Sequence, residues 1–250
     1  MIDYICTPIR EMAERLNAAV LKTVDCYRSG GSNPSLSAKW SIVIDFQFIM
    51  LHFFNYVYII VDMSAELNKF ISEYVQLPAD VLNDIVSKFR SKNIKKNELV
   101  LMEGETCKDL IFVQNGCLRL YYIQEDVEIS VWFALKHSSA IEIYSFISET
   151  PSNYFLQAIE ETEILYLPKT ELNKLYETHP KMQEMMRKFW EDVILHLLQR
   201  FTALQRDTAE QRYLDLLNKP ELLQTIPQKY LASFIGVTPT SLSRIKKNIR

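Results

Sequence analysis

Glycine is scarce in this chain: there are five in 250 residues, and Gly30 and Gly31 sit side by side in one polar stretch. No glycine-rich phosphate loop can be drawn from the remainder. The four cysteines, Cys6, Cys26, Cys107 and Cys117, form no C-x-x-C pair and none is spaced with histidines as a zinc site requires. They read as buried thiols in a reducing compartment, and a cytoplasmic location is expected. No nucleophile–base pair stands out, and Glu160, Glu161 and Glu163 read as a solvated turn. No catalytic residue, metal or cofactor is therefore nominated, and no enzyme activity is expected. Charge is missing in two places. Between Lys136 and Lys169 there is no Lys or Arg, and from Leu222 to Arg250 there is no Asp or Glu, although the chain as a whole carries a net charge of −3.

Composition is that of a folded protein, with 48% hydrophobic and 24% charged residues. Residues 1–62 differ from the rest. Ser29 to Ser37 (SGGSNPSLS) is a linker by composition. The run IVIDFQFIMLHFFNYVYIIV, residues 42–61, has the length of a membrane span but is interrupted by Asp45, Gln47, His52 and Asn55. An unpaired Asp in a span costs roughly 2.5–3.5 kcal/mol. Three readings of residues 1–62 stay open: a weak membrane anchor, an apolar arm packed on the protein or a partner, or an extension upstream of a natural start at Met63. The expected organisation is an extension (1–62), a sensor domain (63–179), a long connecting helix (180–206) and a C-terminal helical domain (207–250).

Helical spacing runs through Leu67, Phe70, Ile71 and Tyr74, then Val81, Leu82, Ile85 and Phe89, on either side of Pro78. From Asn93 the period changes to two. The pair Asn115-Gly116 joins two strand-like runs and predicts a β-hairpin. In the second run Leu118, Leu120 and Tyr122 face one way and Cys117, Arg119 and Tyr121 the other. Glu125-Asp126 marks a further turn, after which Val127, Ile129, Val131 and Phe133 alternate with Glu128, Ser130 and Trp132. TEILYLP, residues 162–168, is the last strand. Short strands with tight turns predict a small barrel or roll, whose mouth suits a small ligand.

After Pro180, the residues Met182, Met186, Phe189, Val193, Leu197, Phe201 and Leu204 recur every three or four positions. That stripe fits one face of a long helix, able to pair with its twin about a two-fold axis. In the acid-free tail, Tyr230, Leu231, Phe234 and Ile235 make one apolar face and Gly236 ends a helix. Thr238 is a natural N-cap ahead of Pro239, and Leu242 and Ile245 point inward from the next helix. A small residue, Ala232, stands where two helices must approach closely. This is the pattern of a helix-turn-helix whose second helix enters the major groove of DNA. Thr240, Ser241, Arg244, Lys246, Lys247 and Lys229 are the candidate DNA contacts. Arg244 suits guanine O6 and N7, Thr240 and Ser241 a base or phosphate, and the lysines the backbone.

The run V-L-M-E-G-E-x(4)-L-I-F-V-x-x-G-C-L-R-L-Y, Val100 to Tyr121, resembles the cyclic-nucleotide-binding β-roll of the Crp/Fnr regulators. The tail RYLxLLxxPELLQxIPxxYLASxxGxTPxxLSRIxK, Arg212 to Lys246, resembles a subgroup of that family. The resemblance covers about 63–250 and implies an α+β protein: N-terminal helices, a small antiparallel β-roll, a long dimerisation helix and a C-terminal helix-turn-helix. It further implies a homodimer that regulates transcription by binding double-stranded DNA at an inverted repeat, with RNA polymerase as a further partner and a small molecule as effector. Where family members grip a cyclic phosphate with a Gly-Glu pair and an Arg, this chain reads AIEIYSFISETPSNYFLQAIE, with neither the Gly nor the Arg. A buried phosphate would lack its cation, so cAMP and cGMP are not expected. The roll takes a different effector or none, and Glu142, Tyr144, Ser152, Asn153 and Gln157 are the candidates to line such a pocket. The cysteines are too scattered for the family's iron–sulfur cluster, and no histidine stands out as a haem ligand. A rival reading stays open: a ligand-binding regulatory module that does not read DNA, held at a membrane through residues 42–61.

Overall fold

The structure is a computed structural model that describes residues 65–249. The linker at 29–37, the apolar run at 42–61, Met63, Cys6, Cys26 and Arg250 lie outside the described residues, and so do the three readings of residues 1–62. Among the described residues, no helix is long and apolar enough to cross a membrane.

The fold is a β-roll with helices before and after it. Helix α1 (65–74) and helix α2 (Ala79–Ser87) come first, separated by the stretch around Pro78. Leu67, Ile71 and Ile85 are their buried residues, at the helical spacing the sequence shows. The strands are β1 (Arg90–Ile94), β2 (Leu99–Leu101), β3 (Asp109–Asn115), β4 (Leu118–Gln124), β5 (Val127–Ala134) and β6 (Ser138–Ala140). A short helix α3 (Ile143–Ser148) precedes β7 (Phe155–Ala158) and β8 (Thr162–Pro168). Helices α4 (Lys169–Thr178) and α5 (Pro180–Arg206) follow, then α6 (Ala209–Leu217), α7 (Pro220–Thr225), α8 (Gln228–Phe234) and α9 (Pro239–Ile249).

The strands form two four-stranded antiparallel sheets, ordered β1-β8-β3-β6 and β2-β7-β4-β5. This corrects one expectation. Asn115-Gly116 does not close a hairpin, because β3 and β4 belong to different sheets. It is a corner at which only Gly116 takes a positive φ, +89°. There the backbone passes so close to its neighbour that a Cβ would sit 2.6 Å from the Glu161 carbonyl. The true hairpin is β4–β5, where Glu125 and Asp126 both adopt positive φ, as a two-residue primed turn needs. A register shift beside Tyr121 then breaks the simple alternation of β5. Trp132 packs against the roll's core, while Ser130 and Phe133, three residues apart, both reach α8.

Two apolar cores result. The first joins α1, the roll interior, α4 and the start of α5. The second is built from Cys117, Phe133 and Ile159 of the roll and from Tyr213, Leu216, Ile226, Leu231, Ala232, Ile235 and Leu242 of the C-terminal helices. Strand β4 lies between them. Leu118 belongs to the first core, and the residue just before the strand, Cys117, to the second.

The apolar stripe of α5 divides along its length. Met182, Met186 and Phe189 are buried in the first core and Val193 packs at its edge. Leu197, Phe201 and Leu204 are exposed, together with Ile194, Leu195 and Leu198. The helix is therefore anchored by its first four turns and offers an apolar surface over the rest.

Candidate nucleic-acid interface

The C-terminal site is assembled by capping chemistry. Thr208 caps α6 and is answered by Gln211 in a reciprocal capping box. Helix α8 ends at Gly236, whose φ of +76° is the left-handed conformation glycine tolerates. The Val237 amide donates back to the Ala232 carbonyl at 3.0 Å, which tightens the turn. Thr238 Oγ1 then accepts from the Ser241 amide at 3.2 Å and starts α9. Ala232 and Leu242 are fully buried where the two helices cross, and Gln228 donates to Ser243 Oγ at 2.8 Å across them.

Two arginines hold this pair from the side of α5 and α6. Arg212 Nε donates to the Ile235 carbonyl at 2.9 Å, satisfying the open end of α8. Arg200 donates to the Phe234 carbonyl at 2.8 Å, and its guanidinium lies 3.6 Å from the Phe234 ring centroid. Burial, and then the neighbouring charge of Arg212, bring the Arg200 pKa down to about 10.

The residues nominated for DNA fall into two groups. Thr240, Arg244, Lys247 and Lys229 are exposed. Ser241 and Lys246 are half-buried. Ser241 Oγ accepts from Thr238 at 3.0 Å, and Lys246 Nζ lies 5.9 Å from the Tyr213 ring centroid. Thr240, Arg244 and Lys247 recur three or four residues apart on α9, while Leu242 is buried. Such a face presents hydroxyl, guanidinium and ammonium donors to an acceptor-rich surface, with no carboxylate nearby in sequence to repel an anion.

The cassette at 140–160 has a different chemistry. Glu142 is 3% exposed and is the N-cap of α3. Its two oxygens accept from the amides of Tyr144 (3.0 Å) and Ser145 (2.9 Å). The chain's own carboxylate thus occupies the start of this helix. Ser152 is buried and spends its Oγ on the Tyr154 backbone, with the Tyr154 amide donating at 3.0 Å. Gln157 donates to the Asn97 carbonyl at 3.0 Å. Tyr144 and Asn153 are exposed. Among these five, the structure links Glu142 and Tyr144 through the helix cap, and the polar groups of Glu142, Ser152 and Gln157 are bonded to backbone. Lys169, the first cation after the cassette, pairs with Glu149 at 2.8 Å and donates to the Phe146 carbonyl at the far end of α3.

This architecture is a cyclic-nucleotide-binding-type roll followed by a long helix and a C-terminal helical unit. A family model described as the cyclic nucleotide-binding domain matches residues 91–179. Electron transport regulator A of Shewanella oneidensis is 22% identical over 178 residues, 66% of this chain and 70% of that protein. Solved structures of Crp/Fnr-type regulators share the fold. A mutant of CooA from Carboxydothermus hydrogenoformans aligns with a TM-score of 0.55 and 19% identity, over 68% of this chain and 83% of that one. FixK2 from Bradyrhizobium japonicum aligns with a TM-score of 0.57 and 17% identity, over 64% and 84%.

One group of residues in the joint between roll and C-terminal helices escaped the sequence reading. Arg119, Ser130 and Phe133 pack against α8, and Tyr121 stacks on the Arg119 guanidinium. The available signal was that β4 carries large side chains on both faces, which implies cover on both.

Proposed function

We propose that the protein is a transcription regulator that binds double-stranded DNA as a homodimer, with α8 and α9 as a helix-turn-helix and α9 as the recognition helix. The observation that carries this reading is the exposed row Thr240, Arg244 and Lys247 on α9, in a segment without acid. Arg244 makes a bidentate contact to guanine, worth about 1–3 kcal/mol of discrimination, and Lys229, Lys246 and Lys247 neutralise phosphates. The exposed apolar half of α5 forms the dimer seam with its twin, so that two recognition helices meet an inverted repeat with half-sites about 34 Å apart. The relative from Shewanella oneidensis is called a regulator, which supports the class. The protein acts in the cytoplasm and contacts RNA polymerase.

The roll takes a small-molecule effector other than cAMP. A second anion placed at the start of α3 would meet the Glu142 carboxylate, and the cassette supplies no cation to offset it. The effector acts through unequal affinity for two domain arrangements.

Selection of bound sequences from a random DNA pool by the full chain tests the reading. An inverted-repeat motif with half-sites one helical turn apart is expected, lost on the double change Arg244→Ala and Lys247→Ala. No enrichment, or enrichment that survives the double change, overturns it.

A further inference from the structure

Roll and C-terminal helices meet at a buried arginine. Arg119 on β4 has no exposed surface. Its Nε donates to Ser130 Oγ at 2.9 Å, and one terminal nitrogen lies 2.8 Å from Glu128. The guanidinium is sandwiched between two rings, 4.1 Å from the centroid of Tyr121 on its own strand and 3.7 Å from that of Tyr230 on α8. Ser233 of α8 donates to Ser130 Oγ at 2.8 Å and accepts from the Ser130 amide at 3.2 Å. Phe133 and Phe234 pack beside them with centroids 5.2 Å apart.

A guanidinium withdrawn from water is tolerated only when it is paired, hydrogen-bonded and stacked. Here one of its two rings comes from α8. The other terminal nitrogen of Arg119 is buried without a hydrogen-bond partner among the described residues, and the stacking on Tyr230 and the Ser130–Ser233 bond exist only when α8 sits on β4 and β5, so the joint favours one seating. Helix α9 is fixed to α8 by Ala232, Leu242 and the Gln228–Ser243 bond, so its direction follows.

We infer that Arg119 is a positioning residue: it clamps α8 to the roll and so presents Thr240, Arg244 and Lys247 at one set angle for a pair of half-sites. The inference rests on the DNA-binding reading above. Each α9 keeps its own DNA contacts without the clamp, so binding to a single half-site is unaffected. Engagement of two half-sites at once then requires the loosened units to be ordered, and that cost weakens only the paired interaction.

The test compares the full chain with its Arg119→Met and Tyr230→Leu variants in two measurements. The first is amide hydrogen exchange without DNA. Exchange at 228–249 should rise at least tenfold, while β3 and β8 stay unchanged. The second is the ratio of affinities for an inverted repeat and for an isolated half-site, which should fall at least tenfold. A disulfide from Ser130→Cys with Ser233→Cys, added to Arg119→Met, should restore both. Unchanged exchange at 228–249, or equal loosening of β3 and β8, overturns the clamp. A changed exchange with an unchanged ratio, or a disulfide that abolishes paired binding, overturns the positioning role. If the unaltered chain binds no DNA, the regulatory reading and the positioning role both fail, while the exchange data still decide whether Arg119 holds the joint.

Discussion

At Gly116 the chain turns from one sheet to the other with φ +89°, and an added Cβ would lie 2.6 Å from both the Glu161 carbonyl and Thr162 Oγ1. Gly116→Ala should therefore lose about 2–3 kcal/mol from combined strain and clash. Gly104→Ala has a similar φ, +87°, but open space around it, and should cost only about 1 kcal/mol. Urea unfolding of the two variants reads the difference directly; equal losses would refute the close approach. Cys117 is fully buried, and burial, with the nearby Glu160 charge second, pushes its thiol up to about 12. In the native protein it should resist a thiol reagent at neutral pH and label only on unfolding, as mass spectrometry of the labelled peptides will report. On the surface, hydrogen bonds from His179 (2.9 Å) and Lys88 hold the Asp84 carboxyl below the usual carboxylate range. A depressed folded pKa adds stability that is present above the ordinary range and lost as pH falls through the folded value. Asp84→Asn should cost on the order of 0.5 kcal/mol at pH 7, since the carboxylate is partly exposed, and nothing once acid has protonated it. Stability curves at the two pH values give the comparison.

At the scale of elements, α5 is the informative case. Its periodicity runs unbroken from Met182 to Leu204 and reads as one seam along the whole stripe. The structure buries Met182, Met186 and Phe189 inside the chain and leaves Leu197, Phe201 and Leu204 exposed. Periodicity reports an apolar face but not what covers it, so the division was illegible. Phe201→Glu should leave the fold intact and weaken self-association at least tenfold in sedimentation. Met186→Glu should instead unfold the chain, because it places an unpaired charge in the first core. The hairpin expected at Asn115-Gly116 failed for a related reason. The dipeptide specifies a turn, but which strands then pair is a long-range choice, made here by β8 and β6 flanking β3, and β7 and β5 flanking β4.

Across the whole molecule, the second core makes the C-terminal helices part of the roll's packing rather than a freely tethered unit. In the proposed regulator, a change in the roll would then reach the C-terminal helices through packed side chains as well as along α5. Its DNA affinity should fall steeply with salt. The double change Arg244→Ala and Lys247→Ala should reduce the log–log slope by about 2 per recognition helix if both neutralise phosphates, or by about 1 if Arg244 reads a base. Titrations at several salt concentrations separate the two, and an unchanged slope would remove both residues from the interface.

The sequence by itself determined the local elements. Pro180 and Pro239 at helix starts, the Thr238 cap and Gly236 at the end of a helix act within a few residues, and each is found where that chemistry puts it; the change of period expected at Asn93 falls earlier, since α2 ends at Ser87 and β1 starts at Arg90. The alternation of β4 even displayed Arg119 and Tyr121 on one face. Tertiary structure alone decided that α8 covers that face, that Glu142 spends its carboxylate on its own helix, and that half of α5 stays open. Those outcomes depend on contacts between residues far apart in the chain, such as Ser130 with Ser233, whose register no local pattern encodes.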